Sequence, residues 1–155
     1  MLLCVHRCVR FLHISLALNM IVQVLDLSNN RIGHISGLDN LPLRELNLSG
    51  NNLYTLHGLD HVPTLSVLDV SRNHITCLAP LRNCTHLTYL DAQRNDISLT
   101  RQVEFLGHMQ WLRTLVMMEN VAANKPFYRC VCDCKFQACG SPHHLFNGLR
   151  CADIA

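Results

Sequence analysis

One nine-residue pattern recurs five times in this chain of 155 residues, and it constrains the fold more than any other feature. Each copy reads L-x-x-L-x-L-x-x-N, with valine, alanine or methionine in place of some leucines. The closing asparagines lie 21, 22, 22 and 25 residues apart. A fixed period predicts equivalent units that stack, because one unit has too few apolar residues for a core of its own. The copies begin at Val22, Leu43, Leu65, Leu87 and Leu112.

Every unit combines two apolar patterns. The alternation Leu46-x-Leu48 predicts a short strand with one buried face. After the asparagine the apolar residues are three apart, as in Leu53, Leu56 and Leu59, which indicates 3₁₀ or short helical turns. A unit therefore contains a strand, a corner and a helical turn, and neighbouring units are expected to share one core.

The asparagine that ends each copy marks the corner after the strand. Asparagine tolerates left-handed backbone geometry, and its side-chain amide both donates and accepts hydrogen bonds. We expect these residues to form a buried column that satisfies the backbone groups leaving the sheet. The members of the asparagine column are Asn30, Asn51, Asn73, Asn95 and Asn120.

Across residues 22–120 the pattern resembles the 22-residue class of leucine-rich repeats. Ile35-Ser-Gly-Leu38 and Leu56-His-Gly-Leu59 match the I-x-x-L segment of that class. The regulatory subunit of type-one protein phosphatase typifies the class, which also contains axonemal dynein light chains and the leucine-rich subunit of a spliceosomal ribonucleoprotein. The resemblance implies an α/β fold, a right-handed leucine-rich repeat solenoid. Short parallel strands would line its concave face, and 3₁₀ or short helical turns its convex face.

Composition favours a single folded domain with no preference for polyanions. Hydrophobic residues make up 49% of the chain and charged residues 15%, which argues against disorder. The net charge is +2, and no run of lysine or arginine offers a stripe for phosphates. The nine cysteines are an odd number, and Cys77 and Cys84 occupy apolar turns. These features favour core cysteines in a reducing compartment over a disulfide framework.

Both ends of the chain depart from the repeat. Residues 1–21 are expected to be an N-terminal cap or a degenerate repeat, because a stack needs its first edge covered. Their basic start and apolar run also resemble a secretory signal, whereas polar interruptions argue against a membrane span. Residues 121–155 are expected to be a degenerate C-terminal cap and a Cys/His-rich tail. Tyr128 and Arg129 resemble the tyrosine–arginine pair in the last unit of the class.

The tail contains enough thiol and imidazole groups for zinc, but in an unfavourable order. Its C-x-C spacing lacks paired C-x-x-C knuckles, so no metal site is predicted. No cofactor or small-molecule substrate is predicted either, because the chain has no phosphate-binding glycine loop, nucleophile elbow or H-E-x-x-H motif. The tail residues weighed as ligands are Cys130, Cys132, Cys134, Cys139, His143 and His144.

Residues between the leucines of each strand are expected to point outwards on the concave face. Strands lie about 4.8 Å apart, so Asp69 and Asp91 would be close like charges. The plain interpretation is a solvated surface whose acidic and basic groups neutralise one another. The functional interpretation is a partner groove, because tyrosine and arginine dominate interface energetics when centrally buried. The residues predicted to bind a partner are Asp69, Arg72, Tyr89, Asp91, Arg94 and Met118.

The fourth repeat is three residues longer than its neighbours. Val103, Leu106 and Met109 or Gln110 are spaced as in a helix, which makes this insertion a second candidate contact region. Trp111, the single tryptophan, follows directly and is expected to pack beside the last strand rather than to form an exposed anchor.

Together these features predict a non-catalytic interaction module, an adaptor or regulatory subunit that holds a protein on its concave face. The resemblance implies a phosphatase catalytic subunit or an axonemal or cytoskeletal protein as partner, and a cytoplasmic, cytoskeletal or ciliary location. Two alternatives remain open. One is a ribonucleoprotein component whose repeats hold an RNA-binding protein, and the other is a secreted recognition domain. Direct binding to nucleic acid or to membranes is not expected.

Overall fold

The computed structural model of the protein describes residues 2–4 (backbone only), 22–39, 41–98, 106 and 109–120. Within them, six parallel strands of three residues each form one sheet, in the order in which they occur along the chain. The strands are β1 (Leu2–Cys4), β2 (Val24–Asp26), β3 (Glu45–Asn47), β4 (Val67–Asp69), β5 (Tyr89–Asp91) and β6 (Thr114–Val116). The expected leucine-rich repeat solenoid is confirmed, with one strand from each of the five repeats.

The register of the sheet places equivalent leucines side by side. Leu46 pairs with Leu68, and Leu68 pairs with Leu90, as the stacked-unit hypothesis requires. Each strand from β2 to β6 is centred on the middle leucine of its copy and ends before the third apolar residue, such as Leu48. That residue is nonetheless fully buried, because the chain stays extended until the corner.

Tight turns connect the strands on the opposite side of the solenoid. Their backbone N–H groups donate to carbonyls three residues earlier, as from Leu59 to Leu56 (3.1 Å) and from Val62 to Leu59 (3.1 Å). This is the 3₁₀ pattern expected from the spacing of three. In the third repeat the turns become a 3₁₀ helix, Ala79–Asn83, which Pro80 helps to start. Of the residues predicted to form a helix in the fourth repeat, the structure describes Leu106 and Met109, both buried, and Gln110, which is exposed.

One continuous core joins the apolar residues of the strands and turns. Cys84 belongs to this core, and its thiol donates to the carbonyls of Leu59 and Val62. Burial, assisted by the charge of Asp60, raises the pKa of the Cys84 thiol to about 11. Cys77 is half-buried and, like Cys84, a free thiol. Cys84 is therefore an inert core residue, whereas Cys77 is less enclosed than its apolar position predicts.

The asparagine column joins each repeat to the one before it. The side chain of Asn73 donates to the carbonyls of Leu48 (3.0 Å) and Val70 (3.0 Å), and its oxygen accepts from the N–H of Leu53 (3.0 Å). Asn51 bonds in the same way to the first repeat. The column members bond to backbone groups rather than to one another, and from Asn51 onwards each is a cross-link to the preceding repeat.

The left-handed corner residue is not the one that the sequence analysis expected. Positive φ values occur one residue before the column, for example at Arg72 (φ 55°), Arg94 (φ 53°) and Gly50 (φ 65°). The chain reverses at this earlier position because the asparagine must turn its amide inwards to reach two carbonyls. Arginine at such a position costs about 1 kcal/mol, because its Cβ crowds the following carbonyl.

The N-terminal strand extends the sheet beyond the recognisable repeats. β1 pairs in parallel with β2, placing Leu3 opposite Leu25. The edge of β2 is thus occupied, but residues 5–21 lie outside the described part, so the choice between a cap and a degenerate repeat stays a prediction. The C-terminal cap and the Cys/His tail of residues 121–155 also lie outside it. In the described ranges, no helix is long and apolar enough to cross a bilayer.

Candidate partner-binding face

The outward side of the sheet is built from the first and third residues of each strand. We call these positions in β2–β6 the sheet face. Their middle neighbours, such as Leu68, point inwards and are buried, whereas most residues of the sheet face remain partly accessible. The sheet face consists of Val24, Asp26, Glu45, Asn47, Val67, Asp69, Tyr89, Asp91, Thr114 and Val116.

Asp69 and Asp91 are directly opposite each other in the register of β4 and β5. Asp91 is the more enclosed, with 7% of its surface exposed. Burial raises the pKa of Asp91, hydrogen bonds from Gln93 lower it, and the charge of Asp69 raises it again. Two carboxylates are therefore held together on a partly dehydrated surface, where their repulsion is weakly screened.

The third residue of each strand from β2 to β5, such as Asp69 or Asp91, also has a structural role that the sequence analysis did not identify. The carboxylate of Asp69 accepts from the N–H of Ser71 (2.9 Å), and that of Asp91 from the N–H of Gln93 (3.0 Å). Asn47 accepts from Ser49 in the same way (3.0 Å). These are Asx-turns, in which a side-chain oxygen replaces the backbone acceptor two residues earlier. The recurring D/N-x-S spacing in the first three repeats could have predicted these turns from the sequence.

Tyr89 stands beside this acidic pair on the first position of β5. Its register neighbours are Val67 and Thr114, so the ring lies between an aliphatic and a hydroxyl-bearing side chain. Burial raises the pKa of the Tyr89 phenol, and Asp91 and Asp69 raise it further. The structure thus brings together three of the six predicted binding residues, Tyr89, Asp69 and Asp91.

The two predicted arginines lie at the rim instead of on the strands. Arg72 and Arg94 occupy the left-handed corners and are exposed. Arg94 donates from Nε to the Glu119 carboxylate at 2.8 Å, a contact with the next repeat. The plain interpretation, in which the aspartates and arginines neutralise one another, is therefore wrong for Arg94. Met118 is partly exposed at the position equivalent to Gln93 and lies at the β6 end of the same surface.

Two exposed aromatic residues lie outside the sheet face. Trp111 is 57% exposed, so the expectation that it packs beside the last strand is wrong. Tyr54 is 64% exposed and stacks on His74 of the next repeat, with 5.2 Å between the ring centroids. His74 in turn lies 3.3 Å from a carboxylate oxygen of Asp96. The repeat pattern did not predict the contacts that link Tyr54, His74 and Asp96, because these residues differ in type from one repeat to the next.

Asp91→Asn is expected to raise the free energy of unfolding at pH 7 by about 0.5–1 kcal/mol. The folded state raises the pKa of Asp91, so it binds the proton more tightly than the unfolded chain does. Stability therefore falls as pH rises from the unfolded pKa through the folded one, and the loss persists above it. Asparagine retains the acceptor for Gln93, as Asn47 does for Ser49. Denaturant unfolding at neutral pH and at about pH 3 should show the gain shrinking in acid.

Asp26→Asn is the matched control for this change. Asp26 makes the same turn, accepting from the N–H of Ser28 at 2.9 Å, but its register neighbour in β3 is Asn47 rather than a carboxylate. No comparable gain is expected. Equal effects of the two substitutions would show that repulsion from Asp69 is not the cause.

Comparison with known proteins agrees with this architecture. Residues 22–41 and 42–62 match the family model described as Leucine Rich Repeat, and residues 61–76 match a second one described as Leucine Rich repeat. The fold is similar to that of the internalin inlF from Listeria monocytogenes, with 23% identity and a TM-score of 0.59. That alignment covers 63% of this chain and 28% of the internalin.

A second solved structure is more similar. A chain of the Drosophila melanogaster SNF/U2A' complex is 26% identical over 72% of this chain and 66% of its own length, with a TM-score of 0.65. This chain thus spans less than two thirds of either structure. No curated protein sequence matches it. The matched repeats and the stacked sheet together show leucine-rich repeats folded as a solenoid. Proteins built from such repeats commonly mediate protein–protein interactions and are typically non-catalytic.

Proposed function

We propose that this protein is a non-catalytic adaptor or regulatory subunit that holds a protein partner on its sheet face. One observation carries the proposal. The sheet face presents the Tyr89 ring beside Val67 and the Asp69–Asp91 pair, while the backbone of β2–β5 is paired on both edges. Partner contacts would therefore be made by side chains on a rigid platform, which loses little entropy on binding.

The chemistry of the described residues also favours binding over catalysis. No group of three or more potential metal-ligating side chains comes together in the described part of the chain. The perturbed carboxyl group, Asp91, has its hydrogen bonds committed to Gln93 in a turn. We propose a phosphatase catalytic subunit or an axonemal or cytoskeletal protein as the partner, and the cytoplasm, cytoskeleton or cilium as the location, from the resemblance of the repeats.

Tyr89→Ala is expected to reduce recovery of the partner at least about tenfold, because it removes the one aromatic residue of the sheet face. Affinity capture from cell extract with wild-type and variant chains, quantified by mass spectrometry, measures the change. Tyr54→Ala is the matched control, since Tyr54 is exposed on another surface. Circular dichroism should show both variants folded. If every captured protein is retained by folded Tyr89→Ala, the sheet face is not the docking surface.

Likeness to a chain of the SNF/U2A' complex supports a second candidate, a ribonucleoprotein component whose repeats hold an RNA-binding protein. The same capture experiment distinguishes the two functions. Spliceosomal proteins that depend on Tyr89 and survive ribonuclease treatment would favour this candidate, whereas phosphatase or motor subunits would favour the first.

A further inference from the structure

The sheet face has an unbalanced charge. Each strand from β2 to β5 contributes one carboxylate to it, and none of its ten positions holds lysine, arginine or histidine. The carboxylates belong to Asp26, Glu45, Asp69 and Asp91. A surface with one sign of charge attracts partners of the opposite sign and repels partners of the same sign.

Neighbouring cations do not neutralise these groups. In the described ranges, the ion pairs join His57 to Asp60, His74 to Asp96 and Arg94 to Glu119, and none of the three involves the sheet face. The rim arginine closest to Asp91 in sequence, Arg94, is directed to the next corner. Asp26, Glu45 and Asp69 are therefore open to an external cation, whereas Asp91 is nearly buried beside Asp69 and adds its charge from there.

Apolar side chains are interleaved with the acidic ones. Val24, Val67 and Val116 occupy the same face as the carboxylates, with the Tyr89 ring among them. The backbone of β2–β5 is paired on both edges, so it cannot accept an added strand. An occupant must therefore recognise side chains on a broad surface. From β2 to β5 this surface extends about 14 Å, the length of about nine residues of a helix whose axis crosses the strands.

We propose that the sheet face docks a basic amphipathic helix of the partner protein, an inference that rests on the function proposed above. Asp69 and Asp91 occupy the same register position on adjacent strands, about 4.8 Å apart, close to the 5–6 Å between side chains at positions i and i+3 or i+4 of a helix. Lysine or arginine at that spacing would face Asp69 and Asp91 together. Aliphatic residues of the same helix would cover Val67 and Tyr89. The sign of the face excludes a phosphate backbone as its occupant.

Synthetic peptides test this inference directly on the full chain. The probe is a fluorescent helical peptide of about 16 residues, built from leucine, alanine and lysine with lysines at i and i+4. An otherwise identical peptide has glutamate in place of lysine. We expect the lysine peptide to bind at least about tenfold more tightly by fluorescence anisotropy, and this preference to shrink between about 50 and 500 mM salt.

Charge-removing variants locate the binding surface. The double variant Asp69→Asn/Asp91→Asn should weaken lysine-peptide binding about tenfold, because asparagine retains the turn bonds but not the charge. Asp60→Asn/Asp96→Asn is the control of equal net charge, with both changes away from the sheet face, and should bind as the wild type does. Equal binding of the two peptides, or equal loss in the two double variants, would overturn the inference.

The proposed function and this inference can fail separately. If Tyr89→Ala loses partners from extract while the two peptides bind alike, the sheet face is a docking surface without a basic-helix preference. If Tyr89→Ala keeps every partner, the proposed function fails, even if the sheet face prefers the lysine peptide.

Discussion

Replacing Asn73 with alanine is expected to lower the free energy of unfolding by about 3 kcal/mol. The Asn73 side chain accepts from the N–H of Leu53 in the preceding repeat at 3.0 Å. The two carbonyls to which Asn73 donates keep other hydrogen bonds in the variant. The Leu48 carbonyl still accepts from the Asn51 side chain, and the Val70 carbonyl from the Asn95 side chain. Most of the expected loss of stability therefore comes from the buried Leu53 N–H, because alanine supplies no acceptor for it.

Denaturant unfolding monitored by circular dichroism measures this effect. Asn52→Ala is the matched control, since Asn52 is exposed and lies next to the column without belonging to it. A change within about 0.5 kcal/mol is expected there. An unfolding midpoint for Asn73→Ala equal to that of the wild type would show that the column does not hold the repeats together.

Gly58→Ala is expected to destabilise the protein by about 3 kcal/mol, for a steric reason. The φ of Gly58 is +100°, and a Cβ there would lie 2.4 Å from the carbonyl oxygen of Ile35 in the preceding repeat. The obstructing atoms are backbone, so relief requires two repeats to move apart. Separation would weaken the packing of the shared core around Leu59.

Gly33→Ala provides the comparison for this substitution. The nearest atom to a Cβ at Gly33 is the Asn52 carbonyl oxygen at 3.8 Å, an ordinary contact, and its φ lies outside the left-handed region. Thermal and denaturant unfolding should show little change or a gain of up to about 1 kcal/mol, from a less flexible unfolded chain. A neutral Gly58→Ala, or a Gly33→Ala of equal cost, would show that close approach of the repeats is not the cause.

The spacing of apolar residues was sufficient to predict the stack and its register. Leu46, Leu68 and Leu90 are adjacent because units of equal length bury equivalent residues against one another. The same reasoning placed Cys84 in the core. It assigned the left-handed corner to the asparagines, whereas the structure has it at Arg72, one residue earlier. Periodicity locates a corner to within a residue, but hydrogen bonding determines which residue turns.

The candidate binding face was only partly predictable. The columns of the repeat brought Asp69, Asp91 and Tyr89 to one surface, because a strand alternates its side chains and the strands lie in register. The pairing of Arg94 with Glu119 was not evident, since it depends on the direction in which an exposed corner side chain extends. The exposure of Trp111 was missed because a residue beside a strand can face either the core or the solvent.

The sequence alone was enough to predict the period, the strand positions, the buried leucines and the asparagine column, because all of these follow from a repeated local pattern. Tertiary structure decided which groups become partners between repeats: the Asn73 oxygen with the Leu53 N–H, Arg94 with Glu119, and Gly58 with the Ile35 carbonyl. Those contacts join residues about one repeat apart in the chain, and their distances depend on how closely the turns of the solenoid approach one another.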